Sequence, residues 1–110
     1  MTTLIIANLW DVSIGPDIVA YLEKIDATLA PFEGRFLVHG NTPERLEGNF
    51  KGDLVIVSFP TRQNAEAWYR SKAYQDILPL RLNNAQSNTI MIDTVSDDHR
   101  ATDILKAIMG

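Results

Sequence analysis

His39 and Arg35 lie in the segment Gly34 to Gly40 (GRFLVHG), and both residue types do chemistry on small molecules. An imidazole titrates near neutral pH and can move a proton as acid or base. A guanidinium is a fixed cation whose planar fork fits a carboxylate. Regular strand alternation would put both side chains on one face, about 13 Å apart at ~3.3 Å per residue, flanking one ligand without touching. Each has a structural alternative: His39 as a hydrogen-bonded interface histidine, Arg35 as half of a salt bridge at a dimer rim. Asn8 and Trp10 end the corresponding face of an earlier strand and, with Ser58, complete the residues expected to line a ligand site. Asn8 could equally belong to an internal hydrogen-bond network, since a buried amide needs partners.

Other chemistries lack their residues. Ser58 has no local His or Asp and no G-x-S-x-G context, which argues against a hydrolase triad. Trp68, Tyr69 and Tyr74 recur at helical spacing and are expected in the core, with a phenol at the helix end able to reach a pocket. Arg81, following Pro79, is read as a partner of helix carbonyls rather than of a ligand anion. The two histidines, His39 and His99, share no H-x-x-x-H or carboxylate cluster, so no metal site is expected. No G-x-G-x-x-G or Walker loop is present and no cofactor is expected.

Composition narrows the partners. A formal net charge of -4 with no basic cluster argues against nucleic acid, although RNA-recognition domains share the order of elements deduced below. Their base-stacking aromatics would fall at Leu54, Ile56 and Ser58. The absence of cysteine excludes disulfides and fits a reducing compartment, so cytoplasm is the expected location. No apolar run approaches the ~20 residues of a membrane span, and no signal peptide is recognisable.

The elements that must position these residues centre on Asp53 to Arg81. Leu54-Val55-Ile56-Val57 reads as a buried strand that Pro60 ends. Thr61 is placed to cap a helix carrying Ala65, Trp68 and Tyr69, with Trp68 toward the sheet. Ser71 can cap a second helical piece, which Pro79 is expected to break or restart. Before this unit, Thr3 to Trp10 is a strand, and Gly15-Pro16-Asp17 opens a helix whose stripe Ile18, Leu22, Ile25 and Leu29 ends at Pro31. Gly34 to Gly40 is the second strand, and Arg45-Leu46-Glu47 could add a short strand or hairpin arm. Gln86 to Val95 is the last strand. Ser96 to Gly110 is a tail with a short amphipathic helix through Ala101, Ile104, Leu105, Ile108 and Met109.

Strand, helix, strand, strand, helix, strand is the order of an α+β, ferredoxin-like βαββαβ domain over residues 1–95, with residues 96–110 as a helical tail. Both helices then cover one face of a four-stranded antiparallel sheet. Strict alternation assigns Ile5, Ala7, Leu9, Phe36, Val38, Val55, Val57 and Phe59 to the helix side. It leaves Leu4, Ile6, Asn8, Trp10, Arg35, Leu37, His39, Leu54, Ile56 and Ser58 on the open side. An open face this apolar calls for a homodimer, at about 1.5 to 3 kcal/mol per aliphatic side chain buried.

Two stretches carry a family resemblance: Ala30-Pro31-Phe32-Glu33-Gly34-Arg35-Phe36-Leu37-Val38, and Trp68-Tyr69 with Ser71, then Tyr74-Gln75 and Leu78-Pro79-Leu80-Arg81. They resemble the domain-of-unknown-function family 1330 of the dimeric α/β-barrel superfamily, over about Leu4 to Val95. The resemblance implies a ferredoxin-like protomer and a homodimer whose sheets form a barrel. Superfamily relatives include cofactor-independent monooxygenases, isomerases and ligand-binding domains. By that analogy the chain is expected to be either a small-molecule enzyme with His39 as acid or base, or a non-catalytic binding or interaction dimer. Two departures from the family pattern are His39, where Arg is common, and Asn41, where a second Gly is common.

Overall fold

In the computed structural model, which describes residues 2–110, the β-branched run Leu54 to Val57 forms the middle of a strand, and its neighbours complete a four-stranded sheet. The strands are β1 (Thr3–Trp10), β2 (Arg35–Val38), β3 (Asp53–Phe59) and β4 (Gln86–Asp93). They pair antiparallel throughout in the spatial order β2-β3-β1-β4. Helices α1 (Pro16–Leu29), α2 (Arg62–Arg70) and α3 (Lys72–Leu82) lie on one face, and α4 (Ile104–Met109) follows β4. This is the α+β, ferredoxin-like arrangement that the order of elements predicts.

Local chemistry sets the helix starts. Pro16 and Asp17 occupy the first turn of α1, where a missing N–H costs nothing and a negative charge meets the positive end of the dipole. The Thr61 hydroxyl accepts from the Asn64 N–H at 3.1 Å, and the Ser71 hydroxyl accepts from the Tyr74 N–H at 3.3 Å. Pro79 does not break the second helical piece as expected: α3 continues through it to Leu82. The carbonyl deprived of its partner belongs to Gln75, which is exposed, so water can take the bond.

The core forms where the large side chains of both layers meet. Phe59 and Trp68 pack with ring centroids 5.5 Å apart, and Trp68 lies 4.0 Å from Tyr74. The indole N–H of Trp68 donates to the Thr28 hydroxyl at 3.0 Å, which itself donates to the Ile25 carbonyl at 2.7 Å. The buried indole is thereby paired. Glu33 adopts the left-handed conformation (φ 58°), and Gly34 passes so close to Phe59 and Leu29 that a side chain there would collide with both.

The principal departure from strict alternation is in β2. Arg35 pairs with Ser58 and Phe36 with Val57, but Val38 pairs with Ile56, so one extra residue is accommodated between Phe36 and Val38. A β-bulge of this kind switches every later side chain to the other face. Val38, expected on the helix side, joins Ile56 on the open face. His39, expected on the open face with Arg35, turns to the helix side and stacks on Phe36 at 4.3 Å. Pairing ends at Val38 rather than Gly40, which has φ +82°. Residues 39–52 connect the strands without a further strand at Arg45-Leu46-Glu47, and β4 stops at Asp93 rather than Val95.

The open face carries a row of β-branched partners, Val38, Ile56, Ile6 and Ile90, running across all four strands. Ile90 is 55% exposed and Ile92 beside it 48%. The apolar side chains of α4 are also exposed, so the tail does not bury its stripe within the protomer. No helix among the described residues is long and apolar enough to cross a membrane.

Candidate functional site

Between the sheet and the helices lies a cavity of about 190 Å³, and the strand register explains it. Val55, Ala7 and Thr89 are cross-strand partners, so three small side chains form one row facing the helices. Nothing in that row matches the bulk of Phe59 farther along the sheet, and the helices bridge the gap. The deeper row, Val57 and Ile5, is buried, whereas Asp53 and His39 on the other side of the opening are exposed and form the mouth.

Two kinds of wall result. Most of the lining is aliphatic or aromatic, including Ile18, Ile25 and Trp68. The wall toward α1, α3 and β4 is polar. There the Tyr21 and Tyr74 hydroxyls are hydrogen-bonded at 2.8 Å, and Arg81, only 5% exposed, stands beside them. Arg81 Nη1 donates to the Ser87 hydroxyl at 2.7 Å. Among the described residues, no carboxylate forms an ion pair with Arg81. Burial raises the Tyr21 phenol far above its ordinary value, with Tyr74 acting in the same direction, so it stays neutral. Burial pulls the Arg81 guanidinium down, but the Tyr74 and Tyr21 oxygens outweigh it and the side chain stays charged.

The residues expected from sequence separate into two places. His39 is at the cavity mouth, opposite the Arg81 wall in the strand order. Arg35 and Ser58 are paired neighbours on the open face, where they border a shallow depression with Thr2 and Glu33. Asn8 is on that face too, donating to the Lys51 carbonyl at 3.4 Å. Trp10 lies under the Lys51 ammonium, 5.3 Å from the ring centroid. The sheet therefore stands between His39 and the other four.

Comparison with known proteins fits this architecture. The chain matches the family described as Domain of unknown function (DUF1330) over residues 2–95. The chain belongs to this family. As a DUF1330 protein it carries residues 96–110 beyond the matched region. Its fold is similar to that of the RPA0582 protein of unknown function from Rhodopseudomonas palustris, with a TM-score of 0.66 at 16% identity, covering 86% of this chain and 83% of that one. A dimeric ferredoxin-like protein of unknown function from Jannaschia sp. CCS1 aligns with a TM-score of 0.61 at 7% identity over 86% of this chain and 100% of the other. SnoaB, a cofactor-independent oxygenase from Streptomyces nogalater, aligns with a TM-score of 0.54 at 12% identity over 90% and 98% of the two chains. Comparison with curated proteins gives no match.

Of the polar wall of this DUF1330 chain, the sequence offers Tyr74 as a phenol able to reach a pocket and Arg81 as a helix-end residue, but not Tyr21 or the meeting of the three. Tyr21 sits one residue before the stripe position Leu22 and reads as part of an ordinary apolar face. Arg81, expected to serve helix carbonyls, instead turns inward to β4. The one available signal was the pair of helical residues Tyr74 and Arg81 at a spacing of seven, which returns a side chain to the same face after two turns.

Proposed function

We propose that this DUF1330 protein is a cofactor-independent small-molecule enzyme that binds its substrate between sheet and helices and moves a proton with His39. The observation that carries the reading is the β2 bulge, which turns the one histidine of the domain into the mouth of a partly open, largely apolar cavity. Neutral imidazole accepts a proton from an acidic C–H or O–H of the bound molecule and returns it at another atom, an isomerisation that needs no co-reactant. Asp53, also at the mouth, is a second group able to carry a proton there. That SnoaB is a cofactor-independent oxygenase on the same fold supports cofactor-free chemistry as a use of this architecture.

The protomer functions as a homodimer in this reading, with a second copy covering the row Val38, Ile56, Ile6 and Ile90. Asn8, Trp10, Arg35 and Ser58 then lie at or beside the interface, where they support or border a ligand from the far side of the sheet. A non-catalytic binding dimer is the second reading, and one observation favours it: among the described residues no hydrogen bond orients the His39 imidazole, whose partner is the stacked Phe36 ring.

The test begins with native mass spectrometry of the protein equilibrated with a small-molecule extract of its own cells. A retained molecule is then incubated with wild type and His39→Gln and followed by liquid chromatography. The enzyme reading expects conversion by wild type and a loss of about 10²- to 10⁴-fold in the variant, with retention unchanged. Retention without conversion selects the binding dimer; no retention overturns both.

A further inference from the structure

We infer that the polar wall of the cavity is an anion clamp, in which Arg81, Tyr21 and Tyr74 hold the carboxylate of a small aromatic or aliphatic acid whose apolar body fills the rest of the cavity. The inference rests on the cavity being the ligand site and specifies what enters it.

Around Arg81, donors outnumber acceptors. Every guanidinium N–H is a donor, and the group has no acceptor. The surrounding side chains supply the Ser87 hydroxyl and the two phenol oxygens, and no carboxylate. One phenol donates to the other, and neither has another side-chain or backbone acceptor among the described residues. One phenolic proton and the remaining guanidinium N–H groups therefore outnumber the acceptors around them. Among the described residues, Arg81 Nε and Nη2 donate to no side chain or backbone group, yet no buried polar side-chain atom lacks a partner, so both reach accessible space, and Arg81 lines the cavity together with Tyr21 and Tyr74.

Charge points the same way. A cation withdrawn from water without a counterion is costly, and Arg cannot escape the cost by giving up its proton. The Arg and Lys ion pairs of the described residues are at the surface: Arg62 with Glu66 and Asp93, and Lys72 with Asp76. Among the described residues, Arg81 is the cation that is both buried and without a carboxylate. A ligand carboxylate supplies the missing charge and accepts from guanidinium and phenol together, as charge-assisted hydrogen bonds in a water-poor site. The apolar lining from Ile18, Ile25, Trp68 and Val55 takes an uncharged body and offers no partner for a second ionic group on that side. With the acid held at α3, the far end of the ligand reaches across the sheet toward β2 and His39.

The test uses 2-naphthoate and its neutral isostere 2-naphthamide as probes, with isothermal titration calorimetry on the full chain. The expected result is at least tenfold tighter binding of the carboxylate, with that preference lost in Arg81→Gln and the amide affinity little changed. Equal binding of the two probes to wild type overturns the clamp while leaving the cavity as a ligand site. Binding of neither overturns the cavity reading as well. A preference that survives in Arg81→Gln assigns the anion to other residues and overturns the clamp. The wild-type comparison decides the matter even if Arg81→Gln does not fold. Tyr74→Phe, which keeps the aromatic packing, gives an independent check and is expected to reduce the carboxylate preference several-fold.

Discussion

Tyr21 illustrates how one residue links folding to the site. Its hydroxyl is buried against Tyr74, and burial is the largest cause of its raised pKa. The folded value lies above the unfolded value of about 10, so the unfolded chain ionises first as pH rises. This phenol therefore leaves stability intact below about pH 10 and withdraws it progressively above. Urea denaturation from about pH 8 to 11 is expected to show stability falling more steeply for wild type than for Tyr21→Phe above pH 10. Parallel curves would mean that the phenol is solvated and the cluster is looser than its geometry implies. Thr28 plays the corresponding part for Trp68, whose buried N–H would otherwise lack a partner.

At the scale of the element, the turn into β2 and the bulge inside it determine which face each later residue occupies. A β-carbon on Gly34 would stand 2.6 Å from Phe59 Cε1 and 2.8 Å from Leu29 Cδ2, both on buried side chains. Neither ring nor leucine can move without disturbing the packed layer. Gly34→Ala is expected to destabilise the fold by about 1–3 kcal/mol, read as a shift in denaturation midpoint at unchanged slope. A neutral result would show that the approach of β2 to the core is adjustable. The bulge then does two things with one extra residue: it completes the open-face row with Val38 and turns His39 to the cavity. Pro79 shows the complementary rule, since a helix passes through a proline when the freed carbonyl can meet water.

For the whole molecule, the open face and the cavity are separate surfaces of one sheet. The row Val38, Ile56, Ile6 and Ile90 is apolar and continuous across the four strands, and each isoleucine fully buried contributes about 1.5–3 kcal/mol. The proposed homodimer is expected to sediment as two copies at micromolar concentration, and the double variant Ile6→Lys, Ile90→Lys is expected to sediment as one. A wild-type monomer would overturn the dimer without touching the cavity, because the cavity is complete within one protomer. The exposed stripe of α4 is the second apolar surface that a partner copy could cover.

The sequence by itself determined the order of elements, the helix caps at Thr61 and Ser71, the burial of Trp68 and the ferredoxin-like closure. These follow from local propensity, capping chemistry and hydrophobic period, which act over a few residues and need no distant partner. It also supplied most of the two sheet faces, since alternation holds along β1 and β3 without interruption. Only the tertiary structure decided where His39 points, because a bulge is a property of pairing with β3 and GRFLVHG alternates acceptably without one. The same is true of the polar wall. Tyr21, Tyr74 and Arg81 are 53 and 7 residues apart in the chain, and each has an ordinary local explanation. Their meeting depends on α1 and α3 packing side by side over a row of small side chains, a geometry set by the whole layer rather than by any segment of it.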